Sequence, residues 1–223
     1  MKKQEAAEVE RAAKEYVLTA ASSFTPVEWW GPIADALGFA VGLSKREMKI
    51  DGAMQCYYVM SAPGGPALLR RAAAENRDAF LFTKYIVASY IQAGQSVPTE
   101  LRDFAAQVLT GTIAVPAEKT GPKDRDHWSR DVFLYFTARA LVREFGLQLT
   151  RVNRRGYIGP RSACELLYEA LADTLCAGLK DDGRVQEICE HRAIWGKIDE
   201  ACNKLGPWFL PHLETVAANF RES

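Results

Sequence analysis

The chain has 223 residues, 48% of them hydrophobic and 25% charged, a globular composition that excludes wholesale disorder. Lysine plus arginine equals aspartate plus glutamate, 28 against 28, so no global charge draws the molecule to nucleic acid or to membranes, and any electrostatic targeting is local. Charges run through MKKQEAAEVERAAKEY, no apolar run approaches the roughly 20 residues of a membrane span, and Cys56, Cys164, Cys176, Cys189 and Cys202 form no tight pairs. These features read as a cytoplasmic protein with reduced, buried thiols.

In chain order, Gln4 to Ser22 is expected to be a helix, with Val9, Ala13, Tyr16, Val17 and Ala20 at helical spacing. Thr25-Pro26-Val27-Glu28 has the pattern of a capping box, and a short helix follows from Ile33 to Val41. Ser44 to Glu47 repeats that pattern. The stretch after it, MKIDGAMQCYYVMSA, reads as a helix, with a hairpin about Asp51-Gly52 as the alternative and any strand confined to residues 48–60. Pro63 to Pro66 is a loop. One long helix is expected from Ala67 to Ala93, stopped by Gly94, and a shorter one opens at Pro98-Thr99-Glu100 and ends at Gly111.

Residues 112–124, TIAVPAEKTGPKD, lack a helical period and read as a linker between a helical lobe over 1–111 and another over 125–223. In the second lobe, Asp126 or a neighbour caps a helix reaching Phe145. Its apolar residues lie on several sides, as in a central, buried helix. Gly146 stops it, and the loop LQLTRVNRRGYIGPR leads to Ser162-Ala163-Cys164-Glu165, a third capping box, opening a helix to about Leu179. Arg184 to Leu205 and Pro211 to Phe220 complete an all-α, multi-helix bundle.

Arg125-Asp126, the apolar helix, Gly146-Leu147, Thr150-Arg151, the basic loop, Ser162-Ala163-Cys164 and Glu169-Ala170-Leu171 together resemble a group of uncharacterised bacterial helical proteins. The resemblance covers residues 125–171 and implies a helical bacterial fold with no assigned activity. That group has asparagine directly after Thr-Arg, whereas here Val152 precedes Asn153.

The most informative feature is local charge. Between Lys119 and Arg161 stand ten basic residues and four acidic ones, Asp124, Asp126, Asp131 and Glu144, a net of +6 in a neutral chain. After Gly146 every one of the basic residues is arginine, whose planar fork suits phosphate. Lys123, Arg125, Arg130, Arg151, Arg154, Arg155 and Arg161 are the candidate anion-binding set. The loop ends at a helix start, where N–H groups favour anions, and Asn153 and Tyr157 offer hydrogen bonding or stacking. The competing reading is a solvated surface, with some arginines answering the acidic stretch 181–223.

Other chemistry is weakly signalled. Cys189-Glu190-His191 gathers potential ligands, yet no C-x-x-C or H-x-x-x-H pair exists, and no metal or cofactor is expected. Asp126-His127 beside Trp128 matches no nucleophile pattern, and the adjacent Gly64 and Gly65 are flanked by prolines that remove donors. Trp29-Trp30 and Tyr57-Tyr58 can each expose one member as a binding surface, or both can line a wide buried face.

The expected function is a non-enzymatic regulatory or mobile-element-associated protein that binds an anion, foremost DNA or RNA. The alternatives are an adaptor or inhibitor meeting an acidic protein, and an enzyme with an unrecognised carboxylate/histidine site. Limited proteolysis should cut first between Ala117 and Arg125, where Lys119, Lys123 and Arg125 lack a helical pattern to protect them; first cleavage elsewhere would contradict the linker.

Overall fold

The structure, a computed structural model, describes residues 3–25, 30–50, 52–117, 127–150, 159–212, 214 and 216–218. It is mostly helical. Among the described residues run α1 (Lys3–Ser22), α2 (Pro32–Ala40), β1 (Leu43–Ile50), β2 (Ala53–Met60), α3 (Gly65–Glu75), α4 (Arg77–Gln92) and α5 (Thr99–Thr110). After them come α6 (Trp128–Phe145), α7 (Ala163–Leu171), α8 (Asp182–Cys189), α9 (His191–Leu205) and a 3-10 turn (Pro207–His212). None of these helices is long and apolar enough to cross a membrane.

The chain divides into two compact units: Met1–Val27 with His127–Lys197, and Glu28–Asp126 with Ile198–Ser223. These units part from the lobes read in the sequence at two places, each with a physical reason. The helix α1 buries Ala6, Ala13 and Val17 and packs on α6 and α7. Its small side chains let neighbouring helices approach closely. At the other end, the 3-10 turn docks on α3. Trp208 Nε1 donates to Glu75 Oε2 at 2.8 Å, and the Arg71 guanidinium lies 4.5 Å from the Trp208 ring centre, a cation–π contact. Of the expected linker, residues 112–117 form neither helix nor strand, and 118–124 lie outside the described residues.

In the first unit, α6 packs on α1, α7 and α8. Leu134, Ala138 and Leu141 of α6 join Leu166, Leu167 and Leu171 of α7, with Val185 and Ile188 of α8, in one core. Gly146 ends α6 at φ 63°, a left-handed conformation that glycine adopts without a Cβ clash. Asp126 or a neighbour is expected to cap this helix; Asp126 lies outside the described residues, and its neighbour His127 holds the N-cap position without a side-chain capping bond.

In the second unit, Leu69, Phe82, Ile86 and Leu101 are fully buried. The single helix expected over residues 67–93 is two helices. Asn76 takes extended dihedrals, φ −135° and ψ 129°, and its Oδ1 accepts the Asp78 and Ala79 N–H groups at 2.9 and 3.1 Å. An asparagine that competes for backbone donors thus ends one helix by capping the next.

The largest correction concerns residues 43–60. The hairpin alternative forms here in place of the expected helix, antiparallel with Leu43 opposite Met60 and Ile50 opposite Ala53. It also begins five residues before the stretch to which strand was confined. Ser44 and Glu47 cap nothing there: the Ser44 hydroxyl reaches the Val59 carbonyl at 3.5 Å, and Glu47 pairs with Lys45 at 2.9 Å. Gly52, at φ 84°, supplies the positive φ that a two-residue turn demands. Tyr57 and Tyr58 point to opposite faces, as strand geometry requires, and each finds a partner on α4. Tyr57 meets Tyr90 at 5.6 Å and Tyr58 meets Tyr85 at 5.8 Å between ring centres. Trp30 stacks near Tyr58 and Phe82 while donating to Asp35 at 2.6 Å. Both tyrosines are half-buried, so neither the exposed-member reading nor the wide buried face describes this pair. Trp29 and Thr25-Pro26-Val27-Glu28 fall wholly or partly outside the described residues.

Two further helix boundaries differ from expectation. The helix opened at Ser162 stops at Leu171 rather than Leu179, and a run of turns follows, including Cys176 N–H to Leu171 O at 2.9 Å. The 184–205 helix is divided by Glu190, which is extended at ψ 132°.

Replacing Asn76 with alanine should remove both capping hydrogen bonds and lower stability by about 1 kcal/mol, read as a fall in Tm. Aspartate at the same position should restore most of it; no change on alanine substitution would contradict the cap.

Candidate anion-binding loop

The candidate site begins where α6 ends. From Leu147 to Cys164 the chain has four arginines and no acidic residue. Its two ends are held together by the backbone. Ala163 N–H donates to Gln148 O at 2.9 Å, and Cys164 N–H donates to Leu149 O at 3.2 Å. The chain therefore leaves and returns at one point on the unit, with Leu147 and Ala163 buried at its foot.

The start of α7 is closed to outside anions by its own groups. The Ser162 hydroxyl accepts the Glu165 N–H at 3.3 Å, while Glu165 Oε2 accepts the Ser162 N–H at 2.8 Å, a reciprocal capping box. Leu166 N–H reaches Ser162 O at 3.0 Å. With Ala163 and Cys164 engaged as above, the first donors of the helix are all satisfied. The expected use of this helix start as an anion cradle is therefore corrected: Glu165 and the carbonyls of Gln148 and Leu149 fill that role.

Of the seven candidate residues, Lys123, Arg125, Arg151, Arg154 and Arg155 lie outside the described residues, as do Asn153 and Tyr157. The two that are described face carboxylates. Arg161 donates from its backbone N–H to Glu10 Oε1 at 2.8 Å and from Nε to Glu10 Oε2 at 3.0 Å. Its Nη1 also bonds Glu169. Glu169 in turn accepts from Lys14 Nζ at 2.6 Å. Two acids and two bases thus tie α1 to the start and side of α7, and their charges cancel. The Lys14 hydrogen bond, helped by the Arg161 charge, holds the Glu169 carboxyl below its ordinary value of 4.5. Arg130 is paired within its own helix, Nε and Nη2 both reaching Asp131 Oδ1, at 2.9 and 2.7 Å.

These partners differ from the acidic 181–223 stretch considered in the sequence. Glu10 and Lys14 show the i, i+4 spacing of one helix face, but nothing local links them to a residue about 150 positions away. Arg139 and Arg143, on the exposed side of α6, turn to neighbours as well: Arg139 lies 5.2 Å from the Tyr135 ring centre, and Arg143 bonds Glu144 at 2.7 Å.

Other candidate chemistry does not assemble among the described residues. No group of three His, Cys, Asp or Glu side chains there could hold a metal ion. Cys164, Cys176 and Cys189 share the core of the first unit. Burial pushes the Cys176 thiol up to about 11, and the hydrogen bond with Cys164, reinforced by burial, pushes Cys189 well above the ordinary thiol range. Such thiols stay protonated and are poor nucleophiles. His127 is exposed beside a fully buried Trp128, and the side chain of His191 is outside the described residues. Comparison with known proteins finds no family model, curated protein or solved structure that matches the chain.

Glu169→Gln should lower stability at neutral pH by up to about 1 kcal/mol, the ceiling for exposed pairs. Because the folded-state pKa is depressed, the carboxylate's contribution is present above 4.5 and disappears as pH falls through the folded value. The Tm gap between the native protein and the variant should therefore close on acidification below about pH 4. A gap independent of pH would contradict the ionic role.

Proposed function

We propose that the protein is a non-enzymatic regulatory or mobile-element-associated protein that binds an anionic partner, nucleic acid foremost, through the segment 151–155. The observation that carries this reading is the closed foot of the loop. The chain is held at Gln148–Leu149 and Ala163–Cys164, and the sequence 151–155 between those points carries three arginines with no acid among them. Ordering at the base lowers the entropy lost when the loop meets its ligand. Arg161 and Arg130, both engaged by carboxylates, are assigned to structure, which leaves Arg151, Arg154 and Arg155 as the residues that meet the ligand.

The Arg154→Ala, Arg155→Ala double variant should melt within a few degrees of the native protein, since surface charges contribute roughly 0–1 kcal/mol each and 1 kcal/mol moves Tm by roughly 2–4 °C at this chain length. Its affinity for duplex DNA or single-stranded RNA should fall, and the slope of log affinity against log salt should flatten by about one unit for each phosphate no longer engaged. Native binding that barely responds to salt would favour an aromatic-anchored protein interface instead. A loss of several kcal/mol in the double variant would place these arginines in buried pairs and overturn the proposal.

A further inference from the structure

The hairpin of the second unit has an open side. The sheet comprises β1 and β2 alone among the described residues, so one edge of β1 has no strand beside it. Ser44, Lys45, Arg46, Glu47 and Lys49 are exposed along it, and Met48 is half-buried.

The register tells which backbone groups face outward. Ile50 and Ala53 flank a two-residue turn and form the closing hydrogen-bonded pair expected of such hairpins. Gly42 continues the same parity, its carbonyl accepting the Ser61 N–H at 3.2 Å. Alternation along an antiparallel ladder then turns the even-numbered residues of β1 toward β2. The N–H and C=O groups of Lys45, Glu47 and Lys49 point away from it. A strand added here must pair with those three.

Their charges alternate, and that selects the occupant. A uniformly acidic strand would set an acid against Glu47, and a basic one would oppose both lysines; like charges directly opposite are destabilising. A second copy of β1, running antiparallel, can meet the edge only with outward residues facing outward residues, so the two-fold axis must pass through a residue. An axis at Arg46 opposes the two Arg46 side chains. One at Glu47 opposes Glu47 to itself and Lys45 to Lys49. An axis at Met48 places Glu47 against Lys49 twice, Arg46 against Ile50 and Met48 against Met48, with no like charges opposed.

We propose that the free edge of β1 is a homodimer interface, in which two copies pair antiparallel about Met48 and join their hairpins into a four-stranded sheet. The short overlap supplies four backbone hydrogen bonds and two ion pairs. Lys45, already 2.9 Å from Glu47 on its own strand, extends the row of alternating charge. Alternation of sign explains how a charged edge, which ordinarily deters pairing, admits a second copy, and the register about Met48 is the one that sets Glu47 against Lys49 twice. This inference is independent of the basic loop.

The test is sedimentation across concentration with charge reversals at two exposed positions. The native chain should show a monomer–dimer equilibrium developing over roughly 10–500 µM, as a small interface implies. Glu47→Lys and Lys49→Glu should each weaken it by about tenfold or more, by opposing like charges twice. Mixing the two single variants should restore association as a heterodimer, and so should combining both changes in one chain. Far-ultraviolet circular dichroism on each variant confirms that the monomer is folded. A native chain that stays monomeric at 500 µM overturns the proposal. So does a dimer that survives both single reversals, or a mixture that remains monomeric.

Discussion

The first unit depends on backbone satisfaction at the start of α7. A helix end leaves several N–H groups without intrahelical partners, and leaving them buried and unpaired is costly. Here two are answered by the carbonyls of Gln148 and Leu149, and others by the exchange between Ser162 and Glu165. That arrangement fixes where the chain returns after α6. It also holds Arg161 beside α1, whose Glu10 takes both the backbone and the side chain of that residue. The basic segment is therefore a consequence of how α7 begins as much as of the residues between.

The local excess of positive charge accordingly has two parts with different physics. Arg130 and Arg161 are neutralised within the fold, and their removal would leave Asp131 or Glu10 facing less positive surroundings. Arg151, Arg154 and Arg155 stand in a stretch that contributes no acid of its own. A net count over 119–161 merges the two, so the count alone overstates the field available to a ligand.

The fold is legible in the sequence where local chemistry decides it. The α1 stripe, the stops at Gly111 and Gly146 and the Ser162 capping box all act within a few residues. Asn76 carries a local signal too, because an asparagine two residues before an aspartate is a good helix cap, but the apolar spacing on either side outweighs it. The hairpin is hidden because Ser44 and Glu47 imitate a capping box, and because β2 is half-buried along most of its length and shows no clean alternation. The Tyr57 and Tyr58 contacts with α4 decide the matter, and those are tertiary. At the loop, the arginines are visible in the sequence. Their discrimination is not, since Glu10 comes from α1, an element with no sequence relation to Arg161.

The cysteines carry a consequence of a different kind. Cys164, Cys176 and Cys189 are sealed in one unit, and Cys202 is buried in the other, so no reagent reaches them while their surroundings are closed. Each buried thiol becomes available only when its neighbourhood opens. The chain thus carries internal clocks: the order in which these sulfurs acquire a label reports whether the two units open together or one at a time, without any foreign probe.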